Sequence, residues 1–416
     1  MERGWTLRGV RALDPATGGD SVRDVFCDAG TISASPVPGV PEFDCAGCVA
    51  MPAAIDLHVH FREPGGAGAE TVASGLAAAA RGGFGLVVAM PNTTPPLDSP
   101  EAVSSQLALA AAAPEKRVRF RVAGCCTEGR AGKKPAPAEA LAAAGAVAFS
   151  DDGAMVDDDG AMREVMAAAA RLGLPVMDHA VRPGLARGGV VRDCAFARKL
   201  GLPVFPDEAE TAAVARDLAL ARETGAALHL QHLSCAESVR LVAGALAGGA
   251  ARVSCEATPH HLLFAAEDIP GDDASWKMNP PLGTRADREA LRRAVLDGTV
   301  GCFATDHAPH PAAAKARGFA EAPFGCIGLE TALAATWLAM VEESGMRPAD
   351  WAARWTTGPA AVLGLPAPSL APGSPARVAV LRKTPWTPAP GDLASLSRNC
   401  PVLGTEFPVE VAALLA

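Results

Sequence analysis

Apolar and polar positions along this chain fall into two regimes. Over residues 1–50 the apolar pieces are short, at 6–10, 25–27 and 31–32, and are broken by Gly, Pro and Asp with no helical period. Pieces of this kind read as strands of a small β unit. The end of the chain looks similar, with a strand candidate at 376–381 in a Pro-rich setting. Between these ends, apolar runs of strand length alternate with Ala-rich helical stretches. The runs are 49–55, 85–90, 118–123, 146–149, 174–177, 226–230, 252–255 and 300–304. Two of the helical stretches are 70–81, stopped by Gly82-Gly83, and 159–172, stopped by Gly173, and Gly is the usual residue just past a helix end. Eight strand–helix units predict an α/β chain built on a (β/α)8 barrel. The expected division is a barrel over 51–360 and a small β-sandwich-like domain formed by both ends, 1–50 and 361–416.

Composition narrows the class. A chain of 416 residues, 49% apolar, holds one large domain with a sizeable core and a smaller one. The net charge of −9 argues against a general nucleic-acid binder, which carries a basic surface. Abundant Ala and absent Tyr read as compositional bias, with Ala covering helix surfaces at little entropic cost. The eleven Cys form no regular framework, and Cys45-x-x-Cys48 and Cys125-Cys126 are the only close pairs. They read as reduced thiols of a cytoplasmic protein. The first residues lack the apolar core of a signal peptide, and no run of about 18 apolar residues exists, so neither secretion nor membrane insertion is expected.

In a barrel of this kind the chemistry lies at the C-terminal ends of the strands. Asp56-Leu57-His58-Val59-His60-Phe61-Arg62 follows the first run. Residues two apart on a strand point to one side, so His58 and His60 offer two imidazoles to one metal ion, with the Arg62 cation close by. Met90-Pro91-Asn92-Thr93 follows the second run, Ser150-Asp151-Asp152-Gly153 the fourth, Asp178-His179 the fifth and Gln231-His232 the sixth. Asp306-His307 and His310 follow the eighth. A lone His in an apolar segment is more often a satisfied core residue. Four His and two Asp converging from five strand ends are not explained that way. A metal beside a guanidinium points to hydrolysis of an anionic substrate. His229 lies on the opposite strand face from His232 and reads as structural. Asp151 and Asp178 read as groups that orient their neighbours, while His260-His261 either reaches the site or is a turn pair.

Taken together, DLHVHFREPG (56–65), MPNT (90–93), SDDG (150–153), MDHA (177–180), QHLS (231–234), EATPHHL (256–262), KMNPPL (277–282), ATDHAPH (304–310) and APFGCIGLET (322–331) resemble the bacterial class I dihydroorotases of the amidohydrolase superfamily. The resemblance spans nearly the whole chain. It implies metal ligands at His58, His60, Asp152, His179, His232 and Asp306, holding one or two Zn²⁺. Asp152 is taken over Asp151 because the family's acidic ligand lies 27 positions before the strand-five His. Many relatives use a carboxylated Lys after strand four, which this chain lacks, and this weighs against an allantoinase or hydantoinase. The resemblance also places Arg62, Asn92 and His310 on a substrate carboxylate and Asn279, Phe324 and Gly325 on a pyrimidine ring. A planar Arg fork suits a carboxylate.

The implied reaction is reversible cyclisation of N-carbamoyl-L-aspartate to L-dihydroorotate in pyrimidine biosynthesis, with Asp306 as both ligand and acid/base. The loop 311–323, which has no apolar period, is implied to close over the site. Family members are often homodimers, and some associate with aspartate transcarbamoylase. The alternatives are another cyclic amidase, or a non-catalytic subunit that scaffolds the transcarbamoylase and has typically lost metal ligands. Local departures from the family occur at Ala53-Ala54, Ala180-Val181 and Gly283-Thr284-Arg285, and none removes an implied ligand.

Overall fold

The computed structural model describes residues 4–416; the first three positions of the expected small domain lie outside them. Two sheets organise the chain. The first contains β1 (Gly4–Asp14), β2 (Gly19–Asp28), β3 (Thr31–Ser33), β4 (Glu42–Asp44) and β5 (Cys48–Pro52). The second is the barrel: β6 (Ala54–Val59), β7 (Phe84–Ala89), β8 (Arg119–Cys125), β9 (Ala146–Ser150), β10 (Val176–Asp178), β11 (Leu228–Leu230), β12 (Val253–Ala257) and β13 (Cys302–Phe303). Two late strands, β14 (Val378–Arg382) and β15 (Glu410–Leu415), return to the first sheet, whose order is β15-β14-β5-β1-β2-β3 with β4 on β1.

Barrel strands pair in parallel with their sequence neighbours from β6 to β13. The ring closes where Val59 bridges His307 and the His60 N–H donates to the His307 carbonyl at 2.8 Å. Parallel strands need crossovers, which are usually helical, and the connecting segments carry the expected signals. Thr71 caps the helix Val72–Arg81, with reciprocal bonds between Thr71 and Ser74. Gly173, at φ +70°, ends the helix Asp159–Leu172. Because every barrel strand runs the same way, all eight C-terminal ends open on one face. Ile55, Leu57, Leu86, Val88, Ala123, Ala148 and Met177 pack together from five successive strands, giving that face a rigid base.

One reading needs correction. The run 49–55 is not one strand. Val49 pairs with Leu381 and Ala50 with Val380 in the first sheet, whereas Ala54 pairs with Phe84 in the barrel. The chain changes sheets at Ala53, whose N–H goes to the Arg377 carbonyl at 2.8 Å. Both strands are buried, so the run stays apolar across the crossing and hydrophobicity does not mark it.

Candidate metal centre and substrate cavity

His58 and His60 emerge where β6 ends at Val59. Asp56 fixes that end: its carboxylate accepts the N–H groups of His58 and Thr305, both at 3.1 Å, and the Thr305 hydroxyl at 2.6 Å. This one group ties the first strand end to the eighth, and its burial pushes its pKa up to about 7. His232 and Asp306 follow β11 and β13 with φ of +31° and +47°. Side chains with a Cβ seldom adopt this left-handed region, and its occurrence at a site is a sign of backbone held there by its surroundings.

The six side chains meet. His58 Nε2 lies 3.3 Å from Asp152 Oδ1 and 3.6 Å from Asp306 Oδ1. His60 Nε2 lies 3.2 Å from Asp152 Oδ2 and 3.0 Å from Asp306 Oδ1. His179 Nδ1 and His232 Nε2 lie 3.5 and 3.7 Å from Asp152 Oδ1 and 2.8 Å from each other. These separations match the roughly 3.3 Å between ligand atoms placed tetrahedrally at the usual zinc–nitrogen distance. His58, His60 and Asp306 form one compact donor set, and His58, Asp152 and His232 another, every member being buried. His58 Nε2 and Asp152 Oδ1 have no hydrogen-bond partner, which is costly for buried polar atoms. The donor set therefore fits a divalent metal.

Outer contacts set the ring orientations. His58 Nδ1 is 2.8 Å from Glu256 Oε1, and the other oxygen of that carboxylate is 2.9 Å from His229 Nε2. His60 Nδ1 is 2.9 Å from Asn92 Oδ1. With Nδ1–H donated outward, each ring turns an Nε2 lone pair into the cluster, the arrangement a metal ligand needs. The Asn279 amide lies 3.0 Å from His179 Nε2. Burial alone would lower the His58 pKa, but Asp152 and Asp306 outweigh it and raise it well above the ordinary value. Burial alone would raise both carboxyls, but the surrounding imidazoles hold Asp152 and Asp306 well below theirs. Both stay ionised, and a metal ion that enters takes the place of the imidazole protons, since ligating His must be neutral.

A cavity of about 220 Å³ opens over these groups. Its walls include Arg62, Asn92, Asn279, His310, Phe324 and Gly325, together with His60, Asp152, His179, His232 and Asp306. His58 lies behind it, fully buried. Among the described residues no carboxylate lies within ion-pair distance of Arg62. Its Nε donates to the Pro309 carbonyl at 3.2 Å and its Nη2 is 3.5 Å from His310 Nε2. His310 Nε2 lies 2.7 Å from the Phe324 carbonyl.

Several expected bystanders have definite places. Asp151 accepts the N–H groups of Cys126 and Thr127. His261 bonds Thr258 and the Pro280 carbonyl, while His260 Nδ1 is 3.5 Å from Cys326 Sγ. None of these three lines the cavity. His229 is packed as a structural group, yet it shares Glu256 with His58. Glu256 opens the EATPHHL block but was given no role from the sequence; a carboxylate set in an otherwise apolar strand end was the signal that could have singled it out.

The loop 311–323 has an apolar anchor after all. Two short helices, Ala312–Lys315 and Gly318–Glu321, bury Phe319, a contribution of about 1.5–3 kcal/mol. Lys315 Nζ is also buried. It donates to the carbonyls of Ala274 and Pro323, both at 2.8 Å. Burial, with repulsion from Lys277 and Arg62, brings its pKa down to about 8. Opening the loop returns Lys315 to its ordinary value near ~10.4, so opening takes up a proton between these two values. The loop should become harder to open as pH rises through that window. Limited proteolysis within 311–323, normalised to a free peptide, checks this: cleavage should slow from pH 8 to 10 in the native chain and not in Lys315→Met. A flat native profile contradicts it.

The family described as Dihydro-orotase-like matches residues 47–238. The dihydroorotase of Bacillus caldolyticus is 44% identical over 363 residues, covering 87% of this chain and 84% of that protein. The chain belongs to the dihydroorotase family. A member from Pelotomaculum thermopropionicum is 39% identical over 403 residues, 96% of this chain and 93% of its own length. Among solved structures, the L-hydantoinase of Arthrobacter aurescens superposes with a TM-score of 0.86 over 99% of this chain and 94% of its own. At 22% identity that likeness speaks for the fold, a (β/α)8 barrel with a separate β-sheet unit. The chain is thus a hydrolase acting on a cyclic amide, and the His/Asp cluster at its strand ends fits a metal ion.

Proposed function

We propose that this chain is a dihydroorotase that interconverts N-carbamoyl-L-aspartate and L-dihydroorotate, a step in pyrimidine biosynthesis, with one or two Zn²⁺ in the His/Asp cluster. The observation that carries the reading is Arg62: a guanidinium with no ion-pair partner among the described residues, in a cavity whose floor is a His/Asp cluster that fits a metal. A ring that bears a carboxylate and a scissile amide satisfies both. Bound zinc supplies Lewis-acid polarisation of the ring carbonyl and makes water a nucleophile near neutral pH.

The protein's own groups do the rest. Arg62, Asn92 and His310 hold the carboxylate. Asn279, Phe324 and Gly325 hold the ring. His60 uses its Nδ1–H on the Asn92 oxygen, which leaves the Asn92 amide N–H₂ for substrate. Asp306, ionised on the cavity floor, takes the proton of the attacking water and passes it to the ring nitrogen as the amide bond breaks. In the biosynthetic direction it returns the same proton.

A hydantoinase-like activity would use neutral rings, for which an unpaired Arg62 has no purpose. A non-catalytic scaffolding role sits poorly with six ligand positions all filled by ligating side chains. The reading also carries a cytoplasmic location, a homodimer and association with aspartate transcarbamoylase, for which co-sedimentation of the two purified proteins is the test. No helix among the described residues is long and apolar enough to cross a membrane.

The direct test is hydrolysis of L-dihydroorotate by the zinc-loaded chain, followed by its ultraviolet absorbance, against a panel of hydantoin, allantoin and dihydrouracil. Preference for the neutral rings would overturn the assignment. Arg62→Ala should raise KM for L-dihydroorotate by roughly a hundredfold, since a hydrogen-bonded charge contact is worth about 1.5–3 kcal/mol, with zinc content unchanged. Loss of zinc in that variant would place Arg62 in the metal site and not on the substrate.

A further inference from the structure

Asn399 is far from the barrel strands in sequence, beyond the last barrel helix Thr357–Val362 and beyond β14. It is buried, and every part of its amide is used at the cavity rim. Its Oδ1 accepts the His310 N–H at 3.2 Å. Its Nδ2 donates to the carbonyls of Ala308 and Gly325, both at 3.0 Å. Its own carbonyl accepts the Ile327 N–H at 2.9 Å. One side chain thus grips the chain just before the loop 311–323 and just after it.

The grip falls on the groups that shape the cavity. His310 and Gly325 line it, and the His310 ring reaches across to the Phe324 carbonyl at 2.7 Å. Clearance is small: at Gly325, with φ +120°, an added Cβ would lie 2.6 Å from the Ala308 Cβ. A shift of either foot of the loop therefore moves His310, Phe324 and Gly325 against one another. The segment that carries Asn399 is itself anchored away from the cavity. Ser397 Oγ donates to the Ala69 carbonyl at 2.8 Å, and the Ser395 N–H goes to Glu330 at 3.2 Å.

Only an amide meets these demands, because it offers two donors and one acceptor in a plane. A carboxylate would turn an oxygen toward two carbonyl oxygens. A methyl would leave two buried carbonyls and one N–H unpaired, which is costly.

We propose that Asn399 is a positioning residue that sets affinity for the substrate by holding both feet of the loop 311–323, and with them His310, Phe324 and Gly325, in register. The proposal rests on the reading of this cavity as the substrate site. It adds a determinant supplied by the C-terminal segment to a site otherwise built from the barrel and its loops.

The test compares Asn399→Ala and the near-isosteric Asn399→Asp with Ser397→Ala, all in the full-length, zinc-loaded protein. Both Asn399 variants should raise KM for L-dihydroorotate by roughly ten- to a hundredfold, the range set by one to two lost buried hydrogen bonds. Their kcat should stay within about threefold and their zinc content unchanged. Ser397→Ala, which loosens the same segment without touching the cavity, should alter neither constant. An unchanged KM in a folded Asn399 variant overturns the proposal. So does an equal effect in Ser397→Ala, which marks a merely structural role. Should the wild-type chain fail to turn over L-dihydroorotate, the functional reading has failed separately. Amide exchange then decides: Asn399→Asp should speed exchange at His310 and Ile327 and Ser397→Ala should not, and equal protection in both overturns the clamp.

Discussion

Asp306→Ala should lower kcat by about 10³-fold or more, the upper range for loss of a positioned acid/base, with the remaining fold intact. Three observations converge on this residue. It stands on the cavity floor, 3.0 Å from His60 Nε2. Its carboxyl is held ionised against its own burial, because its contacts with the His58 and His60 imidazoles outweigh desolvation. Its backbone is fixed in a left-handed conformation, φ +47°. On one side Thr305 is bonded to Asp56, and on the other the His307 carbonyl is bonded to the His60 N–H. A carboxylate that is ionised, immobile and open to substrate can receive a proton at a defined point and give it back. Asp306→Asn keeps the shape and removes the basicity, so it should fall nearly as far. Steady-state turnover, read beside zinc content, separates the two roles of the residue. A retained metal with lost turnover marks the proton step, whereas lost metal marks the ligand role. Near wild-type rates in Asp306→Ala would sink the mechanism.

Glu70 and His307 show how that geometry is braced from behind. His307 Nε2 is 3.3 Å from Glu70 Oε2, and its Nδ1 accepts the N–H groups of Gly328 and Leu329. The ring therefore carries its proton on Nε2 and acts as a neutral strut next to Asp306. It also joins the end of the eighth strand to the segment that leads into the helix Val72–Arg81, which is why a histidine one position from Asp306 can be fully buried and still not reach the cluster.

What could be read in advance follows from range along the chain. The alternation of strand-length apolar runs with Ala-rich helices is a local signal, and it led to the barrel. The placement of His58, Asp152, His179, His232 and Asp306 at strand ends is local too, because it asks only that each residue follow its own strand. The split at Ala53 was hidden because strands of both sheets are apolar on each side of it. Glu256, Lys315 and Asn399 were hidden for another reason. Each acts through partners distant in sequence: Glu256 on His58, Lys315 on the Ala274 carbonyl, Asn399 on His310. A single Glu, Lys or Asn in a sequence carries no mark of such a partner. The anchor of the loop 311–323 was hidden as well, because one Phe among Ala and Gly makes no periodic pattern.

Asp152→Ala should release the metal and, with it, turnover. Among the described residues Asp152 is the one carboxylate that reaches all four imidazoles: Oδ1 faces His58, His179 and His232, and Oδ2 faces His60. Without it the second donor set keeps only neutral rings, which hold a divalent cation far less firmly than rings joined by a charge. Loss of even an outer hydrogen bond to a ligand typically weakens metal binding by about 10- to 100-fold, so loss of the shared ligand should exceed that. Asp151→Asn provides the contrast. Its carboxylate points away from the cluster, onto the N–H groups of Cys126 and Thr127, and the backbone carbonyls of both Asp151 and Asp152 are gripped by Arg130. That variant should keep its metal. Metal content after dialysis against a weak chelator, measured on the two variants side by side, decides between neighbouring carboxylates that the sequence distinguishes only by spacing. Retention in Asp152→Ala with loss in Asp151→Asn would reverse the assignment and move the shared ligand one position along the chain.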